Sequence, residues 1–174
     1  EISPSRDNSN LADVDLTSSY NNLTWGNLKV SRVSEPAVSI TEICGDTSCF
    51  KLKYKVRALN EFDTYQYYDV TEFFRLKQGV NTTYLYVYDR TLEQIFDTTT
   101  QNISSTRINL GLDSDLFVKY KTNSSGSFVS FVKNGNLWTM DMKKNQILSL
   151  FSFDNMNEDY SRVRNDQYDI EIIS

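Results

Sequence analysis

Two alternating apolar runs, Ser127–Lys133 and Asn136–Asp141, flank the dipeptide Asn134-Gly135. No other stretch constrains the fold as much. Both central residues of a type I′ turn need positive φ, and Asn-Gly supplies it at little steric cost. The two-residue turn sets the register: Lys133 faces Asn136, Val132 faces Leu137, Phe131 faces Trp138 and Val129 faces Met140. Side chains alternate faces along a strand, so Val129, Phe131, Trp138 and Met140 share an apolar side. Ser130, Val132, Leu137 and Thr139 share a mixed one. Trp138 is assigned to packing.

The rest of the chain repeats this texture. Residues 1–22 are rich in Ser, Asn and Asp and read as a polar lead-in arm, leaving 23–174 as one domain. Strands are expected at 28–33, 37–43 and 50–57, then at 83–89, 92–96, 106–110 and 116–121. Beyond the hairpin they follow at 146–153 and 168–173. In 63–78, Asp69 and Glu72 could form a capping box that opens a short helix ended by Gly79, or the stretch is another strand. The strand-rich company favours a strand. Ten to twelve short strands without a long helix, repeat or heptad describe an all-β fold. The architecture expected is a two-sheet antiparallel β-sandwich or a barrel.

Two strands carry distinctive side chains. In Phe50–Arg57, Lys51, Lys53, Lys55 and Arg57 alternate with apolar residues. The row reads as an anion-binding stripe or, more plainly, as a solvated face guarding an edge strand. In Thr83–Asp89, Tyr84, Tyr86 and Tyr88 fall on one face. They suit carbohydrate or protein recognition, or a half-covered core with its hydroxyls at the rim.

Composition removes several function classes. Histidine is absent, which excludes Ser-His-Asp and Cys-His nucleophiles and His-ligated metals. No pair among the 23 acidic residues stands out for carboxylate-pair chemistry, so no enzyme is expected. A net charge of −5 argues against nucleic-acid binding. No apolar run reaches the roughly 18–20 residues that span a bilayer, so no membrane insertion by this domain is expected. Asp113–Asp115 and Asp154–Asp159 lack Ca²⁺-loop spacing, and neither metal nor cofactor is expected. The chain starts at Glu1 without a Met or a signal-like segment and reads as a fragment of something larger.

Cys44 and Cys49 bracket a turn-like Gly-Asp-Thr-Ser and could be bridged or free. Sequons at Asn22, Asn81, Asn102 and Asn123 are about as many as chance supplies, so they do not decide whether the chain is glycosylated. The loop 154–166 mixes acceptors, a ring and cations, including Asp154, Asn155, Asn157, Tyr160, Arg162 and Arg164. A sugar site uses that mixture, and so does an ordinary solvated loop.

Three stretches together resemble the receptor-binding head domain of rotavirus outer-capsid spike proteins. These are Ser127–Asp141, the loop Asn155–Val163 and the ending Gln167–Ile173. In that family a strand-Asn-Gly-strand hairpin with an aromatic in its second arm leads to a polar loop. A strand ending in isoleucines then closes the domain. The resemblance covers about the last fifty residues and implies a galectin-like sandwich. It further implies a non-catalytic viral attachment domain on the virion outer surface, joined to the remainder of the spike protein and binding a host-cell oligosaccharide. The implied glycan-binding residues are Ser152, Asp154, Asn155, Asn157, Tyr160 and Arg162. Sialic-acid-binding members carry a basic residue and Tyr-Tyr-Ser just before the loop. Here Leu150–Asp154 stands instead, which points to a different glycan or a different site. The alternative reading is a secreted, extracellular β-sandwich glycoprotein, immunoglobulin-like or CUB-like, that binds a protein partner.

Overall fold

The computed structural model describes residues 11–60, 62–98, 103, 104, 106–112, 118–152 and 170–172. In chain order its elements are β1 (Asp13–Asp15), α1 (Tyr20–Leu23), β2 (Ser31–Arg32), β3 (Ala37–Cys44), β4 (Thr47–Leu59), β5 (Tyr65–Gln78) and β6 (Thr83–Gln94). After these come β7 (Ile103–Ser104), β8 (Arg107–Ile108), β9 (Tyr120–Thr122), β10 (Phe128–Lys133), β11 (Asn136–Asp141) and β12 (Gln146–Ser152). Every strand pairing is antiparallel. The chain is all-β, consistent with a β-sandwich, and among the described residues no sheet closes into a barrel.

Where the sequence reading draws one domain, the chain forms two compact units. The first is Glu1–Ile95 with Leu112–Ser114, and the second is Phe96–Gly111 with Asp115–Ser174.

The first unit is built on a meander of three long strands. β4, β5 and β6 pair in the order β1-β6-β5-β4-β2, and β3 also pairs with β4. The expected strands at 83–89 and 92–96 are therefore one strand as far as Gln94, and the stretch 63–78 is strand, not helix. The lead-in arm needs correction from Leu11 onward. Asp13, Val14 and Asp15 pair with Thr91, Arg90 and Asp89, and Ala12 and Val14 are buried. These two apolar side chains gain more from burial against β6 than the polar residues around them lose. The core of this unit is Val56, Val70 and Leu92, with Trp25, Val30, Tyr54 and Tyr68 packed against it.

Register overturns two readings of the strand faces. A shift between Arg75 and Leu76 sets Tyr88 opposite Phe74 but Tyr84 opposite Lys77. The extra residue of a bulge inverts the alternation beyond it, so Tyr84 and Tyr88 lie on opposite faces and the tyrosine ladder is broken. The cation row does not guard an edge, because β4 is paired on both sides. Across the sheet Lys55 stands opposite Asp69, which stands opposite Glu93, while Lys51 and Asp89 flank Phe73. Opposite charges directly across strands are favourable. Of the row, Lys55 has a carboxylate directly across on β5, while Lys51, Lys53 and Arg57 face Phe73, Thr71 and Tyr67.

The second unit holds the sheet β12-β11-β10-β9 and the small pair β7-β8. Its hairpin has the register set out above, from Lys133↔Asn136 to Val129↔Met140. Asn134 and Gly135 have φ of 51° and 68°, as the turn requires. Phe131 and Met140 are buried. Phe96 meets Phe131 and Trp138 edge-on, with centroids 5.7 and 5.1 Å apart, and its N–H donates to Asn134 Oδ1 at 3.0 Å. Of the expected closing strand at 168–173, only 170–172 are described, and they form no strand.

Trp138→Ala should lower stability by roughly 1–3 kcal/mol, since it removes a half-buried ring packed edge-on against Phe96. Denaturant unfolding with an unchanged slope checks this, and a loss below about 1 kcal/mol would remove Trp138 from the packing role.

Candidate functional site

One face of the meander collects the unusual chemistry of the first unit. Alternation puts Leu52, Tyr54 and Val56 of β4 on the same side as Val70, Glu72 and Phe74 of β5 and Tyr88, Arg90 and Leu92 of β6. A carboxylate at position 72 interrupts an otherwise apolar row. Glu72 stands directly opposite Leu52 on one side and Arg90 on the other. Tyr54 and Tyr88 are its diagonal neighbours, a spacing that long side chains span. The Tyr88 hydroxyl donates to Glu72 Oε1 at 2.8 Å, and Tyr54 flanks the carboxylate from the β4 side. The Phe74 ring packs on Tyr88 with centroids 5.1 Å apart.

Burial pushes Tyr54 up to about 12, with the Glu72 charge adding to the rise and Arg90 and Arg32 opposing it. Tyr88 is pushed up further by burial and by its bond to Glu72. Both phenols are protonated at neutral pH, and Tyr88 donates its proton to the Glu72 carboxylate. A carboxylate has about four lone-pair sites, so the Tyr88 bond leaves it acceptor capacity.

Beside Glu72, Arg90 is 1% exposed. Its Nη1 donates to the Leu23 carbonyl at 3.0 Å and its Nη2 to the Asn22 carbonyl at 2.7 Å. These carbonyls belong to the C-terminal end of α1, where backbone acceptors lack helical partners and favour a cation. Trp25 lies just beyond the helix with φ of 69°, and its ring covers the guanidinium at 3.7 Å. Trp25 N–H donates to the Asn22 carbonyl, and Gly26 N–H donates to the Asn21 carbonyl at 2.6 Å. That bond pattern is a Schellman cap, whose left-handed position is usually glycine. A tryptophan stands there instead, and its ring is what the position adds.

Of the expected site residues, Ser152 ends β12, exposed and opposite Asn136. Asp154, Asn155, Asn157, Tyr160 and Arg162 lie outside the described residues. The sequence favours a strand over a capping box at 63–78 but assigns Glu72 no face or partner. The available signal was its parity, since Tyr68, Val70, Glu72 and Phe74 form one strand face broken by a single charge.

The sequons separate on geometry. Asn22 is 8% exposed within α1. Asn123 has its side chain committed to a turn, donating to Ser125 and Ser127 and accepting from Phe128 N–H. Asn81 is exposed in the β5–β6 turn, and Asn102 lies outside the described residues. Cys44 and Cys49 are free thiols, the first exposed and the second buried. In register they face Thr47 and Glu42 and not each other. Arg75 bonds Glu42 at 3.3 Å beside Cys49.

No family model, curated protein or solved structure matches the chain.

Two outcomes follow from this geometry. Trp25→Gly relieves a left-handed tryptophan, worth roughly 1–2 kcal/mol, but removes a packed aromatic worth about 3–5 kcal/mol. Stability measured in urea should fall, and a rise would show that the ring contributes little. Tyr54 and Tyr88 have folded pKa values above their unfolded ones, so the stability they supply is complete below the usual tyrosine range, near pH 10. It is lost as pH rises from there towards 12 and beyond. Unfolding free energy should drop across this alkaline window, and the drop should shrink in the Tyr54→Phe, Tyr88→Phe double variant.

Proposed function

We propose that this chain is a non-catalytic recognition domain that binds host-cell glycans, displayed on a virion surface as the head of an attachment spike. The observation that carries the reading is the half-buried face on which Glu72 lies between Tyr54, Tyr88 and Phe74. A pyranose presents hydroxyls around its edge and apolar C–H groups on its faces. It is held by a fixed acceptor beside aromatic rings. The protonated tyrosines support binding over catalysis, because neither is a proton acceptor near neutral pH. The resemblance of the C-terminal stretches to rotavirus spike heads points the same way and supplies the viral setting, a galectin-like sandwich and a spike as covalent partner.

The alternative, a secreted glycoprotein binding a protein partner, has some support in exposed Val38, Ile40 and Ile43 on β3, which form an apolar surface. Against it stand the buried amide of Asn22, where a glycan has no room, and the exposed free thiol of Cys44.

A glycan array probed with the wild-type chain and three variants tests the proposal. The wild type should retain a defined oligosaccharide class, and Glu72→Gln should reduce retention at least about tenfold, a loss of roughly 1.4 kcal/mol, while the variant still unfolds cooperatively. If Glu72→Gln binds normally and Tyr160→Ala or Arg162→Ala does not, the site is the 154–164 loop and the Glu72 face is excluded. Retention of no glycan by the wild type, with a protein ligand captured instead, would sink the reading.

A further inference from the structure

A cleft of about 180 Å³ opens in the first unit, between the chain leaving α1 and the sheet. Trp25, Leu28 and Val30 form its outer wall, and Val56, Tyr68 and Leu92 form its floor. Ala58 deepens the floor, and Leu112 stands at the rim, 36% exposed. Leu112 is held in place by a reciprocal pair of bonds: Gln94 N–H donates to its carbonyl at 2.7 Å, and its own N–H donates to Gln94 Oε1 at 3.0 Å.

Two independent observations make this more than loose packing. The first is chemical. The only polar side-chain atom among the lining residues besides the Trp25 indole nitrogen is the Tyr68 hydroxyl, and it already donates to Gln66 at 3.0 Å. Water in such a space finds almost no partners on its walls, and an apolar space of roughly 150 Å³ accepts a benzene-sized molecule. Packed interiors rarely leave voids larger than a water molecule. The second is conformational. Trp25 occupies the left-handed position of the helix cap, where the chain would be relaxed with glycine. Strain of this kind persists where its surroundings hold it, and it clusters at ligand-binding sites. Here it keeps an indole ring at the cleft wall, with Arg90 beneath it at 3.7 Å.

We propose that the cleft is a binding site for a small, uncharged, apolar ligand of one- or two-ring size, with the Trp25 indole as its aromatic wall. The site carries no charged lining residue, which excludes anions and ammonium groups as its natural occupants. It is separate from the carboxylate face around Glu72, so either proposal can fail without the other.

Benzene is the probe for the test. Titrated into the intact chain and followed by methyl resonances, it should give saturable shifts at millimolar or lower concentration, confined to Leu28, Val30, Val56, Leu92 and Leu112. The unfolding midpoint should rise with benzene concentration, as binding to the folded state alone requires. Ala58→Leu, which fills the floor, and Leu112→Trp, which covers the rim, should each weaken the response at least tenfold. Should Ala58→Leu fail to fold, Leu112→Trp at its partly exposed position decides alone. Shifts that never saturate, or that persist unchanged in the folded variants, overturn the proposal.

Discussion

The buried guanidinium of Arg90 is the contact on which the first unit depends. A charge removed from water is tolerable only when its surroundings replace the lost hydration. Two backbone carbonyls from the end of α1 and the face of Trp25 supply much of that replacement. The same bonds satisfy the Leu23 carbonyl and give the Asn22 carbonyl a second donor beside Trp25 N–H. A four-residue helix has no independent stability. It persists because Arg90 fastens it to the sheet, and the chain that leaves it then covers Val56, Val70 and Leu92.

This fastening divides one face of the meander into two environments. Under Trp25 and Val30 the face is a dry core with the apolar cleft at its margin. On the other side of Arg90, Glu72 and its tyrosines lie half-exposed, with Phe74 beside them. The opposite face is more polar, with the cations of β4, Asp69 of β5 and Asp89 and Glu93 of β6 sharing it. At the far end of the meander apolar side chains of β3 meet solvent. Pro36 and the register shift between Ile40 and Glu42 interrupt that edge, two devices that discourage strand addition.

The functional reading rests on side-chain chemistry and on a resemblance limited to the C-terminal stretches. A ring-flanked carboxylate and a polar loop are both surfaces that a hydroxyl-rich ligand could use. They belong to different units, so variants at Glu72 and in the loop separate them.

Local rules made much of this chain legible. Strand alternation identified β3, β4 and β10 to β12, and Asn134-Gly135 set a hairpin register that tertiary packing left unchanged, because a two-residue turn permits no slip. The absence of histidine excluded whole reaction classes. Long-range placement was beyond the same rules. Nothing adjacent in sequence shows that Val14 pairs with Arg90, that a bulge turns Tyr84 away from Tyr88, or that lysines on β4 meet carboxylates on β5. Composition made residues 11–22 look like a polar arm, yet a few buried side chains and one arginine from a distant strand hold them in place. The sequence by itself determined the strands, their alternation and the tightest turn, since these depend on residues within a few positions of one another. Only the tertiary structure decided which faces are covered and where Glu72, Arg90 and Trp25 meet, since that depends on strand register summed over the whole meander.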